Sequence, residues 1–217
     1  MESSRAMNEP RRGASGSRWM IVLCTGTVLA LASPALAQER TCEIAESSGD
    51  VALIQAGNRA NAQVGASIGP RDVLQTGPAG RVEVACSDGA RVTLGPDTQI
   101  GLGSLVGEQA EDSSIGMSLH RGIARFLAPV RTWGSFNVFG PVAVASVRST
   151  EWIMETPEGA TNVFVRDGVV EVRSIRGQTA SLQPTYGVNV APDGTMAEPR
   201  QWGAQRVADV LSRLGIQ

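Results

Sequence analysis

The chain of 217 residues contains no lysine; all 19 of its basic residues are arginine. That excludes chemistry built on a lysine amine, both Schiff-base catalysis and the lysine of a nucleotide-binding P-loop. Histidine is almost as scarce. His120 stands alone, so a site needing two imidazoles cannot be assembled. Aromatic residues make up 4%, which leaves a thin core to Val, Ile, Leu and Ala. Charged residues are 18%, with a formal net charge of −2, so there is no electrostatic reason to bind nucleic acid. Glycine, by contrast, is plentiful at 25 residues and implies many tight turns. With 42% hydrophobic residues the chain is too apolar for disorder and long enough for one ordinary domain or two small ones.

Residues 1–18 carry Arg5, Arg11, Arg12 and Arg18, followed by an apolar run from Trp19 to Ala32 and then Ser33-Pro-Ala-Leu-Ala37. A basic head, a short apolar core and small residues at Ala35 and Ala37 predict a signal peptide over 1–37, cleaved after Ala37. The run falls short of the ~20 residues of a spanning helix, which argues against a retained anchor. A twin-arginine reading lacks apolar residues after Arg11-Arg12, and a lipoprotein reading lacks a small residue before Cys24. Four of the 19 arginines and two of the 21 acidic residues lie in 1–37, so 15 and 19 remain beyond it. That mildly acidic remainder has no second stretch of ~18 apolar residues, so no stable membrane insertion is expected after cleavage. The expected location is periplasmic or secreted.

Two cysteines stay with the exported part, Cys42 and Cys86. An even pair in an oxidising compartment reads as a disulfide. Closing that loop restricts the unfolded chain by ~4 kcal/mol in the chain-entropy model and would pin the mature N-terminus to the strand ending at Cys86. The competing reading is a Cys86 thiol nucleophile with His120 as its base.

Most of Val51–Val190 reads as short strands between turns. Arg81-Val-Glu-Val-Ala-Cys86 and Ala90-Arg-Val-Thr-Leu94 alternate polar with apolar residues around Asp88-Gly89, a strong hairpin signal. The same grammar predicts a hairpin of Thr161–Val165 and Val169–Arg173 around Asp167-Gly168, and a third turn at Asp193-Gly194. Further strands are expected at Val51–Ala56, Asp72–Thr76, Thr98–Leu102, Ile123–Ala128, Phe136–Phe139, Val142–Arg148, Glu151–Glu155 and Tyr186–Val190. Gly101–Ser114 is expected to be an exposed loop. Near the C-terminus Val207, Val210, Leu211 and Leu214 share one helical face, and Pro199 and Gly215 suit its two ends. The expected fold is all-β, many short strands in a twisted solenoid-like or sandwich arrangement with one short C-terminal helix over about Arg200–Leu214. The organisation is 1–37 signal, 38–198 β-domain and 199–217 helix.

Five segments together resemble a known family. Gly69-Pro-Arg-Asp72-Val-Leu-Gln-Thr76-Gly77 is similar to the Gly-Asp…Thr-Gly opening of the FecR domain. Arg81–Leu94, with Asp88-Gly89, matches its following strand–turn–strand unit. Leu119-His-Arg-Gly122-Ile-Ala-Arg-Phe126 resembles its next element, Phe136-Asn-Val138 with Val142–Trp152 its core, and Thr161–Val172, including Gly168, its closing unit. Where the family carries Arg-Gly-Thr, this chain has Arg148-Ser149-Thr150. A positive-φ turn at Ser149 would cost about 1 kcal/mol; a close backbone approach there would alter a contact. Trp152 stands at a family Phe.

The best-known members relay the state of an outer-membrane transporter to a sigma factor through a cytoplasmic anti-sigma region. The 18 residues before the apolar run are too few for such a region. The resemblance therefore implies a stand-alone, non-enzymatic periplasmic module for protein–protein contact, sensing or scaffolding. Its partners would be envelope proteins not identifiable from the sequence, and the alternative is a glycan or other envelope ligand.

No cofactor, metal or catalytic residue is expected. Ser118 and His120 form no triad, and Glu108, Glu111 and Asp112 lack the spacing of a calcium loop. The glycines at 101 and 103 do not join a strand to a helix as a phosphate cradle would, and Glu155 and Glu158 flank a turn rather than a cleft. The candidate contact residues are aromatic, Trp133, Phe136 and Trp152: exposed beside arginine, Trp133 and Phe136 would be partner hot spots, while core packing is the favoured reading of those two.

Overall fold

The computed structural model of the protein describes residues 39–105, 107–108, 114–129 and 135–216. The predicted leader, residues 1–37, lies outside them, as do Glu111, Asp112 and Trp133. The first half of the described chain holds β1 (Glu39–Arg40), β2 (Cys42–Ser48), β3 (Val51–Gln55), β4 (Asn58–Asn61), β5 (Ser67–Ile68), β6 (Val73–Thr76), β7 (Arg81–Cys86), β8 (Arg91–Leu94), β9 (Gln99–Gly101) and β10 (Gly107–Glu108). There follow β11 (Ser114–Ala128), β12 (Ser135–Phe139), β13 (Ala143–Val147), β14 (Thr150–Thr156), β15 (Thr161–Asp167), β16 (Val170–Ser174), β17 (Thr179–Leu182), β18 (Tyr186–Val190), β19 (Arg200–Gln201) and the helix α1 (Ala204–Leu214).

Apart from the small β1–β10 pair, the strands form two sheets. One runs β5-β2-β7-β8-β11-β14-β15-β18-β19. The other runs β4-β3-β6-β9-β11-β12-β13-β16-β17. Neighbours are antiparallel except β11 and β12. The sheets stack as a sandwich with open edges, and the chain passes repeatedly from one to the other.

The long strand β11 belongs to both sheets. Its first half pairs with β9 and β12, its second with β8 and β14. The changeover needs Gly122, which has φ +95° and lies so near Thr98 that a Cβ would come within 2.3 Å of its Oγ1. The Thr98 hydroxyl accepts the Ile123 N–H at 3.0 Å and fixes the bend.

Inward residues of both sheets, such as Ile44, Leu74, Leu94, Met117, Phe126, Val138, Trp152 and Val172, form the main core. A second cluster lies outside the first sheet, where Ile123, Ile153 and Phe164 meet Trp202, Val210 and Leu214. Burying Val210 and Leu214 contributes about 1.5–3 kcal/mol each, which is why α1 docks instead of projecting. That sheet is therefore covered, and β14 and β15 are buried on both faces. We call the other the open sheet. None of the described helices is long and apolar enough to cross a membrane.

Three local expectations change. The helix starts at Ala204, because Arg200–Gln201 pairs with Tyr186–Gly187 as β19 and Trp202 then anchors on Phe164. Pro199 thus precedes a strand, while Gly215 closes the helix in the left-handed region as expected. Thr161–Val165 and Val169–Arg173 do not pair as a hairpin: β15 lies in the covered sheet and β16 in the open one, so Asp167-Gly168 carries the chain between layers. Finally, the stretch after Gly101 tucks Leu102 and Leu105 fully into the core.

Candidate interaction surface

The family-motif residues are spent on scaffold. Asp72 is buried at the entry to β6, where its carboxylate accepts the Gly69 N–H and the Gln55 Nε2, both at 2.7 Å. Thr76 ends the same strand: its hydroxyl donates to the Gly95 carbonyl at 2.6 Å and accepts the Thr98 N–H at 2.9 Å. Gly77 donates to the Asp50 carbonyl at 2.8 Å. Asp88-Gly89 turns β7 into β8, with Asp88 accepting the Ala90 N–H at 3.0 Å. Asp88 also forms a nearly fully buried ion pair with Arg40, which donates in addition to the Leu105 carbonyl at 3.2 Å.

The Arg148-Ser149-Thr150 departure resolves in favour of close approach. Ser149 does not lie at positive φ, whereas Gly168 does, at +82°. A Cβ on Gly168 would come within 2.5 Å of the Ser149 carbonyl oxygen. The glycine that this crossing requires is therefore on the other segment, and a side chain at 149 is tolerated. Thr150 is buried and donates to the Val169 carbonyl at 3.2 Å.

Two of the three candidate contact aromatics cannot meet a partner. Trp152 is 0% exposed, stacked on Phe126 at 5.1 Å, and Phe136 packs edge-on against it at 5.3 Å. Both point into the main core because they alternate inward on β14 and β12. The larger ring at the family's Phe position is thus central, not peripheral. The sulfurs of Cys42 and Cys86 are bonded, at directly paired positions of β2 and β7, so Cys86 is no thiol nucleophile. His120 is exposed at the irregularity in β11. Among the described residues no three of His, Cys, Asp and Glu converge as metal ligands would.

What remains for contact is the open sheet. Its outer face is carpeted by small polar groups, with Gly116, Asn137, Ser146, Glu171 and Ser181 in one cross-strand row. The Phe139 ring lies over Gly116 and is 45% exposed. Tyr186, the other exposed aromatic among the described residues, belongs to the covered sheet. Two adjoining grooves share Ser146 and Glu171. One of about 830 Å³ is lined by Ser135, Arg148, Ser149 and Gly168; one of about 410 Å³ runs beside β17.

The sheets also differ at their edges. Those of the covered sheet, β5 and β19, are two residues each, and residues 191–197 fold back over β18. The open sheet ends in four-residue strands on both sides, β4 and β17. This contrast could have been sought in the sequence only by detecting those two strands. Neither Asn58–Asn61 nor Thr179–Leu182 carries a run of β-branched or aromatic residues.

Electrostatics mark the covered side as structural. Burial against Trp202 lowers the Arg206 pKa, partly offset by Glu155, and its guanidinium lies 3.4 Å over the indole ring. Glu155 also accepts from Arg213 at 2.6 Å. At the Asp193-Gly194 turn, the Thr195 N–H and hydroxyl hold the Asp193 carboxyl below its usual range, with Arg176 adding a further pull.

Comparison with known proteins agrees with this architecture. The FecR protein family model matches residues 72–171. Two crystal structures of a candidate anti-sigma factor from Parabacteroides distasonis are similar, with TM-scores of 0.54 and 0.53 at 20% identity. The matches cover 64% of this chain and 63% and 64% of those, so the chain spans just under two thirds of their length. At that identity the likeness speaks for the fold alone. No curated protein matches the chain. The matched segment, just under half of the chain, opens at the buried Asp72 and closes at Glu171 on the groove of the open sheet, and over residues 72–171 this chain is similar to the FecR protein family.

Proposed function

We propose that the protein is a non-enzymatic sensing and signal-relay module of the bacterial envelope that works by binding another protein at the open sheet. One observation carries the reading: among the described residues, a single sheet keeps its outer face and two four-residue edges uncovered, while the other is closed by α1 and by residues 191–197. Unpaired edges offer backbone donors and acceptors to an incoming strand. The similarity of residues 72–171 to the FecR family favours signalling, and the basic–apolar–small leader pattern together with the Cys42–Cys86 bridge favours an exported location. A glycan platform finds less support, since stacking sugars calls for neighbouring exposed aromatics and, among the described residues, Phe139 stands alone on its sheet.

The test is crosslinking in intact cells followed by mass spectrometry, with wild-type protein and with proline in either edge. Ser181→Pro in β17 and Asn61→Pro in β4 remove N–H groups that point away from the neighbouring strand, so the fold survives them. A defined envelope protein should be captured by the wild type and lost from one proline variant that keeps its melting temperature. Capture unchanged by both prolines would sink the edge mechanism.

A further inference from the structure

The two open edges are not equivalent, and the difference identifies what binds. On β4 every residue is exposed on both faces, so a strand added there would bury little. On β17 the faces separate. Leu182 is buried and Ala180 is partly buried against the main core, while Thr179 and Ser181 point to the outer groove. Met196 adds a second half-buried apolar side chain to that core margin. The Ser174 N–H bonds the Gln178 carbonyl at 2.9 Å. The β16–β17 ladder bonds therefore fall at Val172–Ala180 and Val170–Leu182, and the N–H and C=O groups of Thr179 and Ser181 turn outward.

Behind this edge stand two exposed charges of opposite sign. Glu171 is paired in register with Ser181, and Arg173 with Thr179. Both are exposed on the outer face of β16, and neither enters any of the ion pairs among the described residues. A strand added to β17 would lie two strand spacings away, ~10 Å. Across the small side chains of Thr179 and Ser181, long charged side chains from each side can meet over that gap.

Resting on the reading that the open sheet binds protein, we infer that β17 takes an extended partner segment in antiparallel pairing, with the local order apolar–basic–apolar–acidic–apolar. Antiparallel pairing brings the basic residue opposite Ser181, facing Glu171, and the acidic residue opposite Thr179, facing Arg173. The intervening apolar residue faces inward beside Ala180 and closes the margin of the core. The backbone groups supply affinity and the two charges supply register, because a slip of one residue would turn the charges to the apolar face.

The probes are two fluorescein-labelled peptides, Thr-Val-Arg-Val-Glu-Val-Thr and its charge-exchanged partner Thr-Val-Glu-Val-Arg-Val-Thr, titrated against the exported chain by anisotropy. The first should bind at least tenfold tighter, and the gap should shrink at 1 M salt, where the Debye length is about 3 Å. The double variant Glu171→Arg with Arg173→Glu should invert the preference, and Ser181→Pro should abolish binding of both peptides. Equal affinity for the two peptides, or a preference that the double variant leaves unchanged, overturns the charge register. If Ser181→Pro still abolishes binding in that case, the edge mechanism stands without it. If neither peptide binds, the inference fails, and the crosslinking experiment judges the broader reading separately.

Discussion

Gly168 makes the crossing between layers possible, since its missing side chain leaves room for the Ser149 carbonyl. Gly168→Ala should destabilise the domain by about 1–3 kcal/mol, from positive φ and backbone collision together, measured by urea unfolding. Ser149→Gly, which restores the family's usual residue, should bring no gain and a loss below about 1 kcal/mol, because Ser149 is not at positive φ and glycine adds freedom to the unfolded chain. Thr185 is the opposite case: a β-branched residue at φ +73°. Thr185→Gly should raise stability by roughly 0.5–1 kcal/mol by the same unfolding assay. Titration also acts at single residues. Asp193 has a lowered folded-state pKa, so its contribution is present above the ordinary carboxylate range and is lost as pH falls through the folded value. The Thr195 amide resonance should therefore move in acid below pH 4, with a midpoint under that of a free aspartate; a midpoint at or above it would contradict the hydrogen-bonded turn.

Among the elements, α1 makes the larger difference between the two sheets. Leu214→Ala should cost about 2–4 kcal/mol and loosen the helix from Ile123 and Ile153, read by the melting temperature and by amide exchange along Ala204–Leu214. Much at this scale was legible in the sequence. Arg81–Cys86 alternates cleanly, and Asp88-Gly89 turns it back on Arg91–Leu94, because β7 keeps one face in the core and the other partly open to solvent, although in β8 only Arg91 stays exposed. The 3.6-residue spacing of Val207, Val210, Leu211 and Leu214 survives intact for a similar reason. Legibility failed where partners are set by the whole stack. Nothing local distinguishes Asp167-Gly168 from a hairpin turn, yet β15 pairs with β14 and β18 rather than with β16. Of the edge strands, β4 has no buried alternation to advertise it and β17 only a short one carried by small residues and Leu182, and these are the elements on which contact depends. Trp152 and Phe136 were ambiguous in the sequence because aromatics serve cores and interfaces alike.

At the scale of the whole molecule, the disulfide fastens the first long strand to the sandwich. Because Cys42 and Cys86 face each other on β2 and β7, reduction should lower stability by up to ~4 kcal/mol without changing strand content, checked by denaturation with and without dithiothreitol. The buried Arg40–Asp88 pair lies beside the bridge and holds the same end of the chain.

The strand that serves in both layers has a mechanical corollary. In an ordinary sandwich the halves meet only through greasy side chains and can slip past each other under tension. Here a pull applied at one layer travels along a continuous polypeptide, round the corner at Gly122, into the layer that carries the helix. Shearing the two apart would require straightening that corner, so the body should yield to force as one unit.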